Sequence, residues 1–330
     1  MESERERKQV SNKSTRFHAS KMIDARGRST GGNTTRDISF DRSQVRRPVA
    51  ALTDFATISR CHESRAPNSS RHEPSDMAQY ESRAATLYLD LLKGCLTRML
   101  FPDVSWDWDL ASKRPFDFDV RREGQDWPTE AETMVGMRRL DNLHQCARMV
   151  LREGVPGDFV ETGVWRGGCG LLMRAVLEAY EDTERSVWLA DSFQGLPAPS
   201  LTEYPQDSGD PHATLTSYLG VSLDTVQANF RRYGLLDDRV KFLPGWFRDT
   251  LPVAPVERIA VLRLDGDMYE STHLALTHLY PKLSSGGFLI VDDYGALPNC
   301  RRAVEDFRHT HTITESMVTV DWTGVYWRKG

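Results

Sequence analysis

Residues 157–191, GDFVETGVWRGGCGLLMRAVLEAYEDTERSVWLAD, read as a strand, a tight glycine turn, a long helix and a second strand. The alternation continues, with further strands predicted in VKFLPGWF, RIAVLRLDGD, GGFLIVDDY, ITESMVTVD and GVYWRKG. Between them, SLDTVQANFRRYGL, STHLALTHLYPKL and CRRAVEDFRHT are typical of helices. Strands that alternate with helices form a mostly parallel sheet covered on both faces. We therefore predict a doubly wound α/β sheet of seven strands, with the two terminal strands antiparallel to each other.

Two helices are predicted before this sheet. In the first, apolar side chains recur on one helical face, at Tyr88, Leu91, Leu92, Cys95, Leu96 and Met99. The pattern Thr129-x-x-Glu132 is a capping box and predicts a second helix that starts there and ends near Arg152. The loop between them contains Trp106 and Trp108, which either line a substrate pocket or pack over the core.

The first 76 residues differ in character from the rest. They carry 15 Lys and Arg against 10 Asp and Glu, a net charge of +5, whereas the other 254 residues carry −10. They are rich in Arg, Ser, Thr and Asn and show no sustained periodicity, so we predict a disordered extension, or a natural start at Met77. The dispersed arginines lack interleaved aromatics, which favours a solvated tail over a nucleic-acid partner. Residues 77–154 are then a helical segment and residues 155–330 the core.

Composition excludes several classes of protein. No run of about 18 uncharged apolar residues predicts a membrane span, and the amino terminus MESERERKQV is charged where a secretion signal is apolar. The five cysteines lack CxxC or metal-like spacing, which indicates reduced thiols in a cytoplasmic protein. Neither a P-loop nor a zinc motif nor a Ser/His/Asp order is present, which disfavours phosphoryl transfer and hydrolysis.

The ends of the first two strands carry candidate ligand-binding residues. Glu161 and Gly163 begin the glycine turn, in which Trp165 takes the place of the second glycine of a GxGxxG dinucleotide motif. A glycine turn is also needed in any βα unit, so this motif alone does not show whether the turn binds a ligand. Asp191 ends the second strand, where a carboxylate accepts hydrogen bonds from ribose hydroxyls. Its alternative role is to cap the following turn with Ser192.

Four carboxylates follow the fourth and fifth strands of the core, in Asp265-Gly266-Asp267 and Asp292-Asp293. Parallel strands end at one edge of the sheet, so these side chains would repel one another unless protons or a cation neutralise them. An all-oxygen set favours Mg²⁺ or a similar hard ion. We therefore predict a divalent metal site, although any single aspartate here has the alternative role of capping a helix or turn.

Taken together, these motifs resemble those of the macrocin-type (TylF/MycF/NovP) sugar O-methyltransferases, which use S-adenosylmethionine and magnesium. The resemblance runs from about Tyr80 to Lys329, through TMVGMRRLDNL, GDFVETGVWRGG, LADSFQGLP, GWFRDTLP, LRLDGDMYEST and GGFLIVDDYGALPNCRRAVEDF. It implies a class I methyltransferase fold, a homodimer, and methylation of a sugar hydroxyl on a glycosylated natural product. It implies no nucleic-acid or membrane partner.

The resemblance also implies roles for individual residues. Asp265, Asp292 and Asp293 would bind Mg²⁺, or Mn²⁺, with Asp265 contributing to catalysis, and Asp267 would be the general base. The cofactor pocket would comprise Thr133, Met134, Glu161, Gly163, Asp191, Ser192, Gly245 and Trp246. Residues 197–222, including His212, would form a variable lid over the substrate. We refer to residues 197–222 as the lid segment.

Three other functions compete with this one. A metal-dependent methyltransferase of phenols or catechols would present similar aspartates to two adjacent aryl hydroxyls. A nicotinamide-dependent oxidoreductase is disfavoured because GxGxxG is missing and hydride transfer needs no metal carboxylates. A non-catalytic protein that binds S-adenosylmethionine would not need the base Asp267.

Overall fold

A seven-stranded sheet lies at the centre of the structure, a computed structural model that describes residues 82–107, 110–210 and 215–330. The sequence predictions for residues 1–76, Trp108 and His212 lie outside these ranges. In chain order the sheet strands are β4 (Asp158–Thr162), β5 (Val187–Asp191), β6 (Val240–Pro244), β7 (Ile259–Leu264), β8 (Leu283–Val291), β9 (Val318–Thr319) and β10 (Val325–Arg328). Their order across the sheet is β6-β5-β4-β7-β8-β10-β9.

The first five of these strands are parallel, and β10 pairs antiparallel with both β8 and β9. Every residue of β7 is buried, which explains its nearly continuous apolar sequence IAVLRL. The predicted seven strands and antiparallel terminal pair are confirmed. However, the segment ITESMVTVD contributes only Val318 and Thr319 as a strand, and both are exposed.

Helices cover both faces of the sheet. They are α1 (Arg83–Leu96), α2 (Phe118–Arg122), α3 (Met137–Arg152), α4 (Gly168–Ala179), α5 (Thr216–Leu219), α6 (Leu223–Arg232), α7 (Phe247–Thr250), α8 (Tyr269–Leu279) and α9 (Pro298–Thr310). Short 3₁₀ helices span Pro205–Asp207, Leu251–Val253 and Tyr280–Lys282. Leu89 and Leu143, from α1 and α3, share one buried cluster with Phe159 of β4, so the amino-terminal helices extend the core.

The predicted start of the second helix is wrong. Its helix, α3, begins at Met137, because residues 127–128 form a strand, β3, that pairs antiparallel with β1 (Ser105–Trp106). A third short strand, β2 (Lys113–Arg114), completes this small sheet. The capping-box residues are engaged elsewhere: the Thr129 hydroxyl donates to the Val104 carbonyl, and Glu132 pairs with Arg98 at 2.7 Å.

The buried face of α1 also differs from the predicted one. Ser82 caps the helix, and its buried apolar positions include Leu89, Leu92 and Leu96. Leu91 and Tyr88 belong to the predicted face but are 58% and 38% exposed. In a helix with many apolar residues, spacings of three and four residues fit two neighbouring faces equally well. The periodicity therefore predicted that a helix forms but not which of its faces is buried.

Backbone hydrogen bonds continue one residue beyond the strands and fix the loops at the carboxyl edge of the sheet. Gly163 N–H donates to the Ala190 carbonyl, Asp265 N–H to Thr162, and Asp292 N–H to Leu264. The predicted ligand-binding positions therefore meet at one edge, as expected for parallel strands. Within the described residues, the four cysteines are free, and no helix has the length and apolar character needed to cross a bilayer.

Candidate active site

Three aspartates meet at the carboxyl edge of β7 and β8. Asp265, Asp267 and Asp293 each offer one carboxylate oxygen, and these oxygens lie within 4.8 Å of one another. Asp267 has a left-handed backbone, with φ of 58°, and its N–H donates to the Asp293 carboxylate at 3.4 Å. We call these three residues the aspartate cluster. Such a group of oxygen ligands suits a hard divalent cation.

Asp292, the third predicted metal ligand, lies beside the aspartate cluster and faces arginines. One of its oxygens accepts from Arg263 at 2.5 Å and the other accepts from Arg139. Arg139 also pairs with Asp321 at 3.0 Å. All four side chains are almost fully buried. The structure thus places Asp267, rather than Asp292, within ligand distance of Asp265 and Asp293.

These surroundings shift the pKa values of neighbouring carboxyls in opposite directions. Burial and the charge of Asp292 raise the pKa of Asp265. Burial and the charges of Asp265 and Asp267 raise the pKa of Asp293 well above its ordinary value. Burial opposes ionisation of Asp292 as well, but Arg139 and Arg263 outweigh it and lower its pKa. Arg263 also pairs with Asp265 at 2.8 Å, but it does not cancel the repulsion within the aspartate cluster, because the pKa values of Asp265 and Asp293 remain raised, as at a site that favours a cation.

Glu161 lies at the end of β4 with only one of its oxygens satisfied. Its Oε1 accepts from Arg263 at 2.8 Å, whereas Oε2 is buried without a hydrogen-bond partner. Burial raises its pKa to about 8 despite the favourable charge of Arg263. A buried carboxylate oxygen without a hydrogen-bond donor is unusual in a folded protein.

Gly163 lets the turn after β4 approach the neighbouring strand. Its φ is +83°, and a Cβ atom there would lie 1.6 Å from the Asp265 carbonyl oxygen. Asp191 closes the same turn: its Oδ2 accepts from Val164 N–H at 2.6 Å and its Oδ1 from Phe193 N–H at 2.7 Å. The Asp191 carboxylate therefore does bind the turns on either side of it.

An open cavity lies over this edge of the sheet. Five of the residues predicted from the sequence line it, namely Gly163, Asp191, Ser192, Trp246 and Asp265. Gly195, Leu196 and Pro197 form part of its wall, and of these only Pro197 belongs to the lid segment. Asp265 thus belongs both to the cavity and to the aspartate cluster, which joins the two into one site.

The remaining predicted cofactor residues do not line the cavity; they are Thr133, Met134, Glu161 and Gly245. Thr133 is buried, and its hydroxyl accepts from Val135 N–H at 3.0 Å. Its neighbour Met134 is half-buried. Gly245 N–H donates to the Asp191 carbonyl at 2.9 Å, which fixes the loop that carries Trp246.

Sequence reasoning missed the two arginines of the site. Arg263 contacts Glu161, Asp265 and Asp292, and Arg139 contacts Asp292 from the opposite side. Arg263 did leave a signal, because a guanidinium inside a wholly buried strand requires carboxylate partners. Arg139 left none, since its neighbour Arg138 in the same helix is exposed and nothing in the local pattern distinguishes the two.

Comparison with known proteins agrees with this arrangement. Residues 85–329 match the family described as Macrocin-O-methyltransferase (TylF). A mycinamicin III 3''-O-methyltransferase of Micromonospora griseorubida is 50% identical over 253 residues, which are 75% of this chain and 98% of the relative. An 8-demethyl-8-(2,3-dimethoxy-alpha-L-rhamnosyl)-tetracenomycin-C 4'-O-methyltransferase of Streptomyces olivaceus is 53% identical over 245 residues, 74% of this chain and 93% of the relative.

A solved structure leads to the same family. The O-methyltransferase NovP is 47% identical and superposes with a TM-score of 0.71, covering 74% of this chain and 99% of its own. The predicted class I methyltransferase fold and the predicted enzyme class, S-adenosylmethionine-dependent O-methyltransferase, are thereby confirmed. The chain belongs to the macrocin O-methyltransferase family.

Proposed function

We propose that this enzyme methylates a hydroxyl of a sugar carried by a glycosylated small molecule. The observation that carries the proposal is the position of Asp265, which lines the cavity and belongs to the aspartate cluster. A methyl donor in the cavity and an acceptor hydroxyl at the cluster would then be neighbours. The relatives named for mycinamicin III and for a rhamnosyl tetracenomycin act on compounds of this kind.

The aspartate cluster fits a divalent cation, Mg²⁺ or Mn²⁺. Asp265 and Asp293 belong both to the predicted ligand set and to the observed cluster. Asp292 completes the predicted set, and it would bind an ion in exchange for one of its bonds to arginine. A bound divalent ion would lower the pKa of an acceptor hydroxyl, which is otherwise far above neutrality.

The cavity fits S-adenosylmethionine, which supplies the methyl group. Glu161 has an unsatisfied oxygen for the ammonium of the methionine part, and Gly163, which follows it in the same turn, lines the cavity. The Asp191 carboxylate would accept a hydrogen bond from a ribose hydroxyl. Its oxygens have further lone pairs besides those that accept from the Val164 and Phe193 N–H groups. The other residues proposed to bind the cofactor are Thr133, Met134, Ser192, Gly245 and Trp246.

Asp267 is the proposed general base. Its carboxylate lies in the same 4.8 Å group as Asp265 and Asp293, so it can reach the proton of a hydroxyl held there. The acceptor oxygen must also be aligned with the methyl carbon, and the fixed backbone at Asp265 provides that alignment. The lid segment, whose first residue Pro197 lines the cavity, would exclude water from the reacting hydroxyl.

The test is to incubate the full chain with S-adenosylmethionine and Mg²⁺ or Mn²⁺. The acceptors are mycinamicin III, the rhamnosyl tetracenomycin named for the second relative, and free catechol, and mass spectrometry detects the gain of one methyl group. We expect methylation of a glycoside, and a loss of about 100-fold to 10,000-fold in turnover for Asp267→Asn with cofactor binding unchanged. Methylation of catechol and of neither glycoside would instead favour the phenol methyltransferase.

We also infer that the enzyme is a homodimer, as the resemblance implies. The support is an exposed apolar stripe on α1, where Leu87 and Leu91 are 59% and 58% exposed. Exposed side chains of this kind on neighbouring helical turns are typical of subunit contacts. Light scattering during size-exclusion chromatography measures the mass directly, and a monomer at micromolar concentration would contradict the inference.

A further inference from the structure

A carboxylate of the lid segment caps the helix that follows the aspartate cluster. Asp207 ends the short 3₁₀ helix Pro205–Asp207 and is completely buried. Its Oδ1 accepts from the N–H of Tyr269 at 2.7 Å, and its Oδ2 accepts from the N–H of Glu270 at 2.9 Å. Tyr269 and Glu270 are the first two residues of α8. Asp207 thus satisfies two of the amides that a helix leaves without internal partners.

Helix α8 has no cap of its own. Its N-cap residue is Met268, whose side chain makes no capping hydrogen bond. Capping oxygens usually come from the residue directly before the helix, as from Ser82 for α1 and Ser222 for α6. In α8 the oxygen comes from a residue more than 60 positions earlier, and the negative charge of Asp207 also suits the positive end of the helix.

The capped helix begins two residues after Asp267, the proposed base. Residues 265–268 form one tight turn between β7 and α8, in which Met268 N–H donates to the Gly266 carbonyl at 2.6 Å. The turn holds Asp267 at a φ of 58°, a conformation that is costly for a residue other than glycine. Hydrogen bonds hold the turn at both ends: the Asp265 N–H donates to the Thr162 carbonyl, and the Tyr269 N–H donates to the Asp207 carboxylate.

Further contacts anchor the same part of the lid segment. The ring of Tyr204 lies 6.2 Å from that of Tyr269 and 5.9 Å from that of His273, both on α8. On the other side, Asp210 accepts from the Asn299 side-chain amide of α9 at 3.1 Å. Residues 204–210 therefore dock on two helices that flank the aspartate cluster, with Asp207 at the centre of the contact.

We propose that Asp207 is a positioning residue for the methyl transfer: by capping α8 it fixes the strained turn that aims the carboxylate of Asp267. Docking of residues 204–210 and orientation of the base are then one event, which couples the lid segment to proton removal. This inference rests on the proposed role of Asp267. Because a displacement of about 1 Å at a catalytic group can cost about 100-fold in rate, a modest loosening of this turn is enough to matter.

The test is Asp207→Asn in the full chain, a change of nearly the same size that replaces one accepting oxygen by an amide. With mycinamicin III as acceptor, we expect kcat to fall about 10-fold to 100-fold. The Kd for S-adenosylmethionine, measured by calorimetry, should change less than about twofold, because Asp207 is not among the cavity residues. Hydrogen exchange at the amides of Tyr269 and Glu270 should become faster.

Asp117→Asn is the matched control. Asp117 also accepts from two backbone amides at the start of a helix, those of Asp119 and Val120 in α2, away from the aspartate cluster. In this variant, kcat and the rate of amide hydrogen exchange at residues 266–275 should be unchanged. An Asp207→Asn enzyme with faster exchange but normal kcat would overturn the proposal, and so would an equal loss of kcat and cofactor affinity.

Asp267→Asn, measured in parallel, separates this inference from the proposed function. If Asp267→Asn keeps normal turnover, the base assignment itself is wrong. If Asp267→Asn is inactive and Asp207→Asn is fully active, only the positioning role fails. Thermal unfolding of each variant shows whether the protein remains folded at the assay temperature.

Discussion

Replacing Arg263 by methionine should destabilise the protein strongly at pH 8 and less so at lower pH. Arg263 is 2% exposed and donates to three buried or half-buried carboxylates: Glu161 at 2.8 Å, Asp265 at 2.8 Å and Asp292 at 2.5 Å. Removal of one partner of a buried ion pair typically costs about 3–5 kcal/mol, because the remaining charge stays desolvated. At about 2–4 °C per kcal/mol for a domain of this size, the melting temperature should fall by about 6–20 °C.

The pH dependence follows from the raised pKa of Glu161. Its value is about 8 in the folded protein, against an ordinary value of 4.5, so the folded state binds the proton more tightly than the unfolded state. Its contribution to stability is therefore complete below about pH 4.5 and is lost as the pH rises through about 8. Without Arg263, protons must replace the guanidinium at Glu161 and Asp265. The free energy of unfolding of the variant should therefore increase more on acidification than that of the wild type.

Arg174→Met is the matched control. Arg174 is as deeply buried as Arg263, but its partners Asp237 and Glu178 are 40% and 59% exposed and can return to water. The control should lose only about 0–1 kcal/mol. Urea denaturation of both variants at pH 8 and pH 5.5, with a chelator present, measures the free energies of unfolding. Equal losses in the two variants, or a loss for Arg263→Met that does not change with pH, would refute the reasoning.

Two further substitutions test the turn after β4. Gly163→Ala should destabilise the protein by more than about 1–3 kcal/mol, since it adds a clash with the Asp265 carbonyl to the strain of a φ of +83°; a melting temperature within 2 °C of wild type would contradict this. Glu161→Gln should raise the Kd for S-adenosylmethionine about 10-fold to 100-fold, because the neutral amide loses a charge-assisted bond to the ligand amine. Calorimetry measures that Kd, and an unchanged value would exclude Glu161 from the cofactor site.

The sequence predicted the sheet and the edge at which the site lies, because both depend on local patterns. Asp265 follows one apolar strand directly and Asp293 comes two residues after the end of another, so their place at one edge needs only the rule that parallel strands end together. The partners of those residues depend instead on register and side-chain direction. Asp292 and Asp293 are adjacent in the bend after β8, yet Asp292 contacts arginines whereas Asp293 belongs to the aspartate cluster.

Contacts between distant parts of the chain explain the remaining errors. Thr129 and Glu132 have the local pattern of a capping box, but the pairing of β3 with β1 and the ion pair with Arg98 hold them outside a helix. Asp207 has no local pattern that marks it as a cap, because the helix it caps begins at Tyr269. Local rules fail at both places because tertiary hydrogen bonds replace the expected local ones.

The charges of the site favour a cation as well as a cofactor. Two guanidinium groups, those of Arg139 and Arg263, lie among six carboxylates, so the fully ionised site has a formal charge of −4; the carboxylates are Glu161, Asp265, Asp267, Asp292, Asp293 and Asp321. S-adenosylmethionine carries a sulfonium, an ammonium and a carboxylate, and brings a net +1. A divalent ion would bring +2 and leave the site near neutrality. The raised pKa values of Asp265 and Asp293 express the same imbalance, because protons otherwise take the place of the missing positive charge.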